Sequence, residues 1–165
     1  MHDFVPLSGE RIVVRDWRVD EVEGMHRWLG NQQVRKFLSF GTSSVQESAA
    51  HLRDVIDSQK ENSREHYYLA IESRELGVTI GDAGFSWKGE GTAEIGYFLE
   101  PNYWGQGFAT EAAKLMISFA FDLGADKVFA SCDVENSDSE MVMRRCGMQK
   151  LESEDLGRLL YGITL

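Results

Sequence analysis

The chain has 165 residues, 42% of them hydrophobic and including nine Phe and four Trp, which suffices for one substantial core but not for two ordinary domains. A formal net charge of −10 argues against nucleic acid and anionic membrane as partners, and fits plain solubility or a cationic substrate. No apolar run approaches the roughly 18 residues of a membrane span, and Met1 to Pro6 lacks the basic and apolar regions of an export signal, so a cytoplasmic protein is expected. Cys132 and Cys146 stand outside any CxxC spacing or His/Cys cluster, as reduced, packed thiols do, and no metal site is expected.

Arg11 to Arg15 predicts a strand after a turn at Ser8-Gly9. Asp20 is placed to cap a helix from about Glu21 to Leu29, with Val22, Met25, Trp28 and Leu29 on one face. Ser44 or Thr42 can cap a second helix over about Val45 to Gln59, whose apolar side carries Ala49, Leu52, Val55 and Ile56. Beyond the polar loop Lys60 to Ser63 the pattern turns to strands. Tyr67 to Glu72, Val78 to Trp87 and Ala93 to Leu99 form an antiparallel meander joined by short glycine-bearing turns. After Pro101 and Asn102 to Gly107, an amphipathic helix runs to about Leu123, with Ala109, Ala112, Ala113, Met116 and Ala120 at helical spacing, and Gly124 stops it. Lys127 to Val134 is a strand, Ser137 to Arg145 a helix, and Met148 to Leu151 and Leu159 to Thr164 are two last strands. A segregated meander followed by a βαβ crossover predicts an α+β fold, with a mixed, mostly antiparallel sheet of about 6–7 strands and about four helices, in one domain over residues 1–165.

Gly105-Gln106-Gly107-Phe108-Ala109-Thr110 sits where a strand hands over to a helix. Glycines admit a ligand close to the backbone, and the first helical amides, from about Gly107 to Thr110, have no intrahelical acceptor. Together with the helix dipole they form an anion site that an acidic chain can offer locally. Three readings fit the string: a tight turn, a dinucleotide fingerprint with Asp133 or Glu135 as its acidic residue, and a pyrophosphate loop. Against the dinucleotide reading stand Thr110 in place of the third small residue, the five residues Glu100 to Trp104 between strand and turn, and the absence of repeated βαβ units.

The stretch AEIGYFLEPNYWGQGFATEAA, Ala93 to Ala113, resembles motif A of the GNAT (GCN5-related) N-acetyltransferase superfamily, and looks most like its RimJ/RimL-like branch. The Q/R-x-x-G-x-G/A pattern falls on Trp104 to Ala109, with Trp104 in place of Gln or Arg. Cys132 to Ser139 and Cys146-Gly147-Met148 resemble the branch's Asn-x-x-Ser helix and the Gly-Phe pair that ends it, and the opening strand and two helices match in layout. The resemblance implies a three-layer GNAT fold and transfer of acetyl from acetyl-CoA to a primary amine by direct attack in a ternary complex. The acceptor would be a protein N-terminal α-amine or a small cationic amine. A non-catalytic acyl-CoA sensor or scaffold of the same fold is the alternative. The protein would be a monomer or homodimer.

It further implies that the strand Glu94 to Leu99 carries a bulge and splays from its parallel neighbour. The pantetheine arm would slot between them, bonded to backbone near Phe98 and Leu99. Gly105, Gln106, Gly107, Phe108, Ala109 and Thr110 would hold the pyrophosphate, and Asn136 and Ser139 would line the thiol end. Asn136 and Ser139 also suit plain helix capping. Deprotonating a lysine-like amine at neutral pH costs about 4 kcal/mol, an α-amine about 1 kcal/mol. Glu94 is the candidate base and Ser139 the candidate acid, because Met143 occupies the position where many members carry a Tyr. Phe37, Leu38, Phe40, Phe85 and Trp87 are candidate walls of the acceptor pocket. His26, His51 and His66 suit surface or partnered roles better than catalysis.

Overall fold

The computed structural model describes residues 5–165. The reading of Met1 to Pro6 therefore falls largely on residues 1–4, outside the described ones. In chain order the elements are β1 (Leu7–Ser8), β2 (Ile12–Asp16), α1 (Val22–Leu29), α2 (Gln32–Arg35), α3 (Val45–Ser58), β3 (His66–Ser73), β4 (Thr79–Trp87) and β5 (Thr92–Leu99). A 3-10 turn (Pro101–Tyr103), α4 (Phe108–Asp122), β6 (Lys127–Asp133), α5 (Ser137–Arg145), β7 (Gln149–Leu151) and β8 (Arg158–Thr164) follow. The strands form a single sheet of eight in the order β1-β2-β3-β4-β5-β6-β8-β7, antiparallel throughout except for β5 with β6.

Among the described residues, eight strands exceed the expected 6–7, and five α-helices the expected four. Both additions are too short to show a period. β1 is two residues paired to β2 at Leu7↔Val14 and Ser8↔Val13, and α2 is a single turn started by Asn31, whose side chain accepts from the Gln33 amide at 2.9 Å.

β3 and β4 bury residues on both faces and β5 on one, Ala93, Ile95 and Leu99, and two cores result. Ile12, Val14, Leu69, Ile71, Ala83, Phe85, Ala93 and Ile95 pack under α4 residues Ala112, Met116, Phe119 and Ala120. Trp17, Met25, Trp28, Leu29, Val34, Leu52, Val55 and Ala70 pack on the opposite face beneath α1 and α3. Each Val, Leu, Ile, Phe or Met among them, once removed from water, contributes about 1.5–3 kcal/mol. Ser44 caps α3, accepting from the Glu47 amide at 3.2 Å. Asp20 does not cap α1: the N-cap residue is Glu21, and it makes no side-chain cap bond. Its carboxylate is taken by Arg15 at 2.6 Å and by the Thr79 hydroxyl at 2.8 Å. Although burial alone would raise it, these donors and the Arg18 amide hold Glu21 at about 2.

Candidate active site

The parallel pairing of β5 with β6 lasts for three positions, Thr92↔Lys127, Ala93↔Val128 and Glu94↔Phe129. Beyond it β5 stays with β4 as far as Leu99↔Gly81, and β6 stays with β8 as far as Asp133↔Arg158. The sheet therefore splits along its middle. The β4–β5 register is unbroken from Trp87↔Ala93 to Gly81↔Leu99, so the bulge expected in Glu94 to Leu99 is absent and the divergence of two regular ladders makes the gap. A cavity of about 800 Å³ occupies the split and opens onto three regions: the turn before α4, the start of α5, and the segment Gln33 to Phe40 above β4 and β5.

At the first region, Gly105 and Gly107 adopt φ of +71° and +86°, left-handed backbone that glycine takes without a Cβ clash. Gly107 is the N-cap of α4 and no side chain caps that helix. Glu111 is the first residue whose amide finds a helical acceptor, Gly107 O at 3.1 Å, which leaves the amides of Gly107 to Thr110, residues that line the cavity, without helical acceptors. The Thr110 hydroxyl is buried there without a partner among the described residues. Open amides and an orphaned hydroxyl at a helix start fit a diphosphate. Arg11, from the far end of the chain, braces this turn. Its guanidinium donates to Gln106 O at 2.8 Å and to Glu111 at 3.1 Å, and lies 4.4 Å from the Phe108 ring centroid. Trp104, the departure from the usual Gln or Arg, turns its indole back to donate to Leu99 O at 2.9 Å.

At the second region Asn136 caps α5, accepting from the Ser139 amide at 3.1 Å. The Ser139 hydroxyl lies 3.1 Å from the Tyr97 hydroxyl, which also donates to Ser139 O at 3.1 Å. Burial pushes the Tyr97 phenol far up, so it stays protonated. Met143 is wholly buried in the core. Cys132 lines the cavity beside them, and burial pushes its thiol up, as it pushes that of Cys146 to about 11, so neither is an activated nucleophile.

At the third region Phe37 and Phe40 line the cavity, Phe40 meeting Phe98 edge-on at 5.6 Å while Trp28 stacks on the other ring at 5.2 Å. Phe85 touches the cavity, but its ring is held in the core by Tyr67 at 4.6 Å and Phe119 at 5.6 Å. Trp87 packs against Phe85 and lies outside the cavity lining. Glu94 lines the cavity with Lys88 paired to it at 3.2 Å. Asp82, on β4 opposite Phe98, is 6% exposed and accepts one hydrogen bond, from the Trp17 indole at 2.8 Å. Burial pushes its carboxyl up to about 8, the indole bond opposing only part of the effect. His26 and His66 are each engaged by a serine hydroxyl at 2.8 Å, and His51 lies edge-on to Tyr68 with burial holding its pKa below the ordinary range.

Asp82, Tyr97 and Arg11 are the site residues that the one-dimensional pattern does not bring out. A carboxylate inside the apolar run Ile80 to Phe85 is a signal of a buried charge. Tyr97 reads as strand packing, and the 95-residue separation of Arg11 from Gln106 hides their contact.

Residues 11–149 match a family described as "Acetyltransferase (GNAT) domain". An uncharacterized N-acetyltransferase, YnaD of Bacillus subtilis (strain 168), is 25% identical over 146 residues, covering 87% of this chain and 82% of that one. Among solved structures, a putative ribosomal-protein-serine acetyltransferase from Vibrio cholerae superposes with a TM-score of 0.83 at 19% identity, over 100% of both chains. RimL, a ribosomal L7/L12 alpha-N-protein acetyltransferase in complex with coenzyme A, superposes with a TM-score of 0.80 at 18% identity, covering 98% of this chain and 97% of that one. The split parallel pair, the uncapped helix start at its mouth and the matched domain lead to one conclusion: the chain belongs to the GNAT family and is an N-acetyltransferase.

Proposed function

We propose that residues 1–165 act as one domain that transfers acetyl from acetyl-CoA to a primary amine, a protein N-terminal α-amine or a small cationic amine, in a ternary complex. The observation that carries this is the continuity of a single cavity. It runs from the open amides and orphaned Thr110 hydroxyl at the start of α4, through the β5/β6 split, to an acidic, aromatic-walled arm. The turn Gly105 to Thr110 would hold the diphosphate, and backbone of Phe98 and Leu99 the pantetheine arm. Asn136 keeps Ser139 at the head of α5, and the Tyr97–Ser139 hydroxyls would face the sulfur, where a weak acid suffices for a thiolate leaving group. The acceptor would enter past Phe37 and Phe40 toward the carboxylates of the arm, Glu94 or Asp82, one of which takes up its proton directly or through water. The coenzyme A bound to RimL and its N-terminal substrate support the reading by analogy of fold.

An acetyl-CoA assay over a panel of amines tests it, with Glu94→Gln and Ser139→Ala beside the parent. A fall of tenfold or more at pH 7 supports the altered residue's role. Binding of acetyl-CoA without free CoA release across the panel refutes the transferase reading in favour of a sensor. Folded Gly107→Glu, which puts a carboxylate into the diphosphate site, is expected to lose acetyl-CoA affinity, and unchanged affinity refutes that site.

A further inference from the structure

Two carboxylates reach the acceptor arm, and they differ in kind. Glu94 is 30% exposed and paired with Lys88. Asp82 is 6% exposed, none of the ion pairs among the described residues includes it, and only one of its oxygens has a hydrogen-bond donor, the Trp17 indole. The two strands face each other in the rows Asp82↔Phe98, Gly84↔Gly96 and Ser86↔Glu94. These residues share one face of the sheet, and the middle row has no side chains. Above that row the Phe98 ring lies over Gly96, 3.6 Å from where a Cβ would stand, and the β3 backbone at Tyr67 closes on Gly84, while Asp82 and Glu94 line the same cavity together with Tyr68, Phe37 and Phe40.

The geometry points to Asp82 as the catalytic residue that takes the proton from the acceptor ammonium, with Glu94 drawing the cation in at the mouth. This rests on the acetyltransferase reading and says which carboxylate performs its proton step. The ammonium gives one proton to the Asp82 carboxylate, and the freed lone pair forms the C–N bond at the thioester carbonyl carbon. As the C–S bond breaks, one of the two protons left on nitrogen passes to the CoA sulfur and the other stays on the amide. Asp82 then returns its proton to solvent through the cavity.

Other titratable groups on the elements packed around Asp82 are engaged elsewhere. On α1, His26 meets the Ser48 hydroxyl at 2.8 Å, and Arg27 is held by Glu100 at 2.6 Å and Thr79 O at 3.0 Å. On α3, His51 faces Tyr68 and lies near Asp54. Tyr68 on β3 is pushed up by burial and then by Asp82 itself. On β5, Glu94 has Lys88. Burial is thus what keeps the Asp82 carboxyl near 8, a value matched to proton transfer from an amine close to neutral pH.

The test is the pH profile of kcat/KM with an alkylamine acceptor whose own ammonium titrates near ~10, well clear of Asp82. The parent is expected to gain rate up to about pH 8 and then level until the substrate's limb begins. Asp82→Asn is expected to lose that limb and about 100-fold in rate at pH 8 while binding acetyl-CoA like the parent. Glu94→Gln is expected to keep the limb and change mainly KM. If Asp82→Asn does not fold, Trp17→Phe keeps the carboxyl and removes its one donor, so the limb is expected to move to higher pH. A limb that survives Asp82→Asn, or stays in place in Trp17→Phe, or vanishes in Glu94→Gln, overturns Asp82 as the proton acceptor. A parent chain that binds no acetyl-CoA or acetylates no amine overturns the underlying reading instead, and is seen before any variant is made.

Discussion

The charge state of Asp82 has a consequence for stability that needs no substrate. Its carboxyl titrates at about 8 in the folded chain against 3.8 for the ordinary group. A folded-state value above the unfolded one means that the stabilisation is complete below pH 3.8 and is lost as pH rises through about 8. With those two values, folding stability falls by about 3–4 kcal/mol between pH 5 and pH 8 from this one residue, because the unfolded chain ionises freely while the folded one must ionise a carboxyl against β4, Trp17 and Phe98. Asp82→Asn keeps the shape and leaves the Trp17 N–H an oxygen to donate to. Urea denaturation of parent and variant at pH 5, 6, 7 and 8 reads the slope directly. The expected result is near-equal stability at pH 5 and a variant more stable by about 3 kcal/mol at pH 8. Parallel curves for the two proteins would refute the claim that this carboxyl is buried and proton-loaded at neutral pH.

Glu21 has the opposite sign. Its folded value of about 2 lies below 4.5, so it stabilises above pH 4.5 and that contribution is lost as pH falls through about 2; Glu21→Gln should flatten the acid limb of a pH melt. Gly107→Ala places a Cβ on backbone at φ +86° and 3.1 Å from the Arg11 guanidinium, so a loss of about 1–2 kcal/mol in denaturation and weaker acetyl-CoA binding by calorimetry are expected. Leu52→Ala, in the core under α3, should cost about 2–5 kcal/mol in the same denaturation assay without altering the cavity chemistry. Phe40, 49% exposed at the arm's edge, should tolerate replacement by Ala with little change in melting temperature, while KM for the acceptor rises.

Local chemistry made much of this protein legible in one dimension. The 3.6-residue period of Val45 to Gln59 and the Ser44 cap, the Ser137 to Arg145 helix, the meander, the Gly105–Gly107 turn and the Gly124 stop depend on neighbours a few residues away, and the structure has them within a residue or two of their expected ends. The elements that escaped notice are those with no period to read, β1 and α2, and the cap at Glu21, whose carboxylate was claimed by Arg15 and Thr79 from other strands. The site divides the same way. The glycines and free amides that suit a diphosphate lie in one contiguous stretch, whereas the acceptor side is assembled across β3, β4, β5 and the segment Gln33 to Phe40. Whether Asp82 is an ordinary carboxylate or a proton-loaded one depends on what removes water from it. Only the packing of Trp17 and of the β5 residue Phe98 around Asp82 decided that, because desolvation is a property of the folded surroundings and not of the residue.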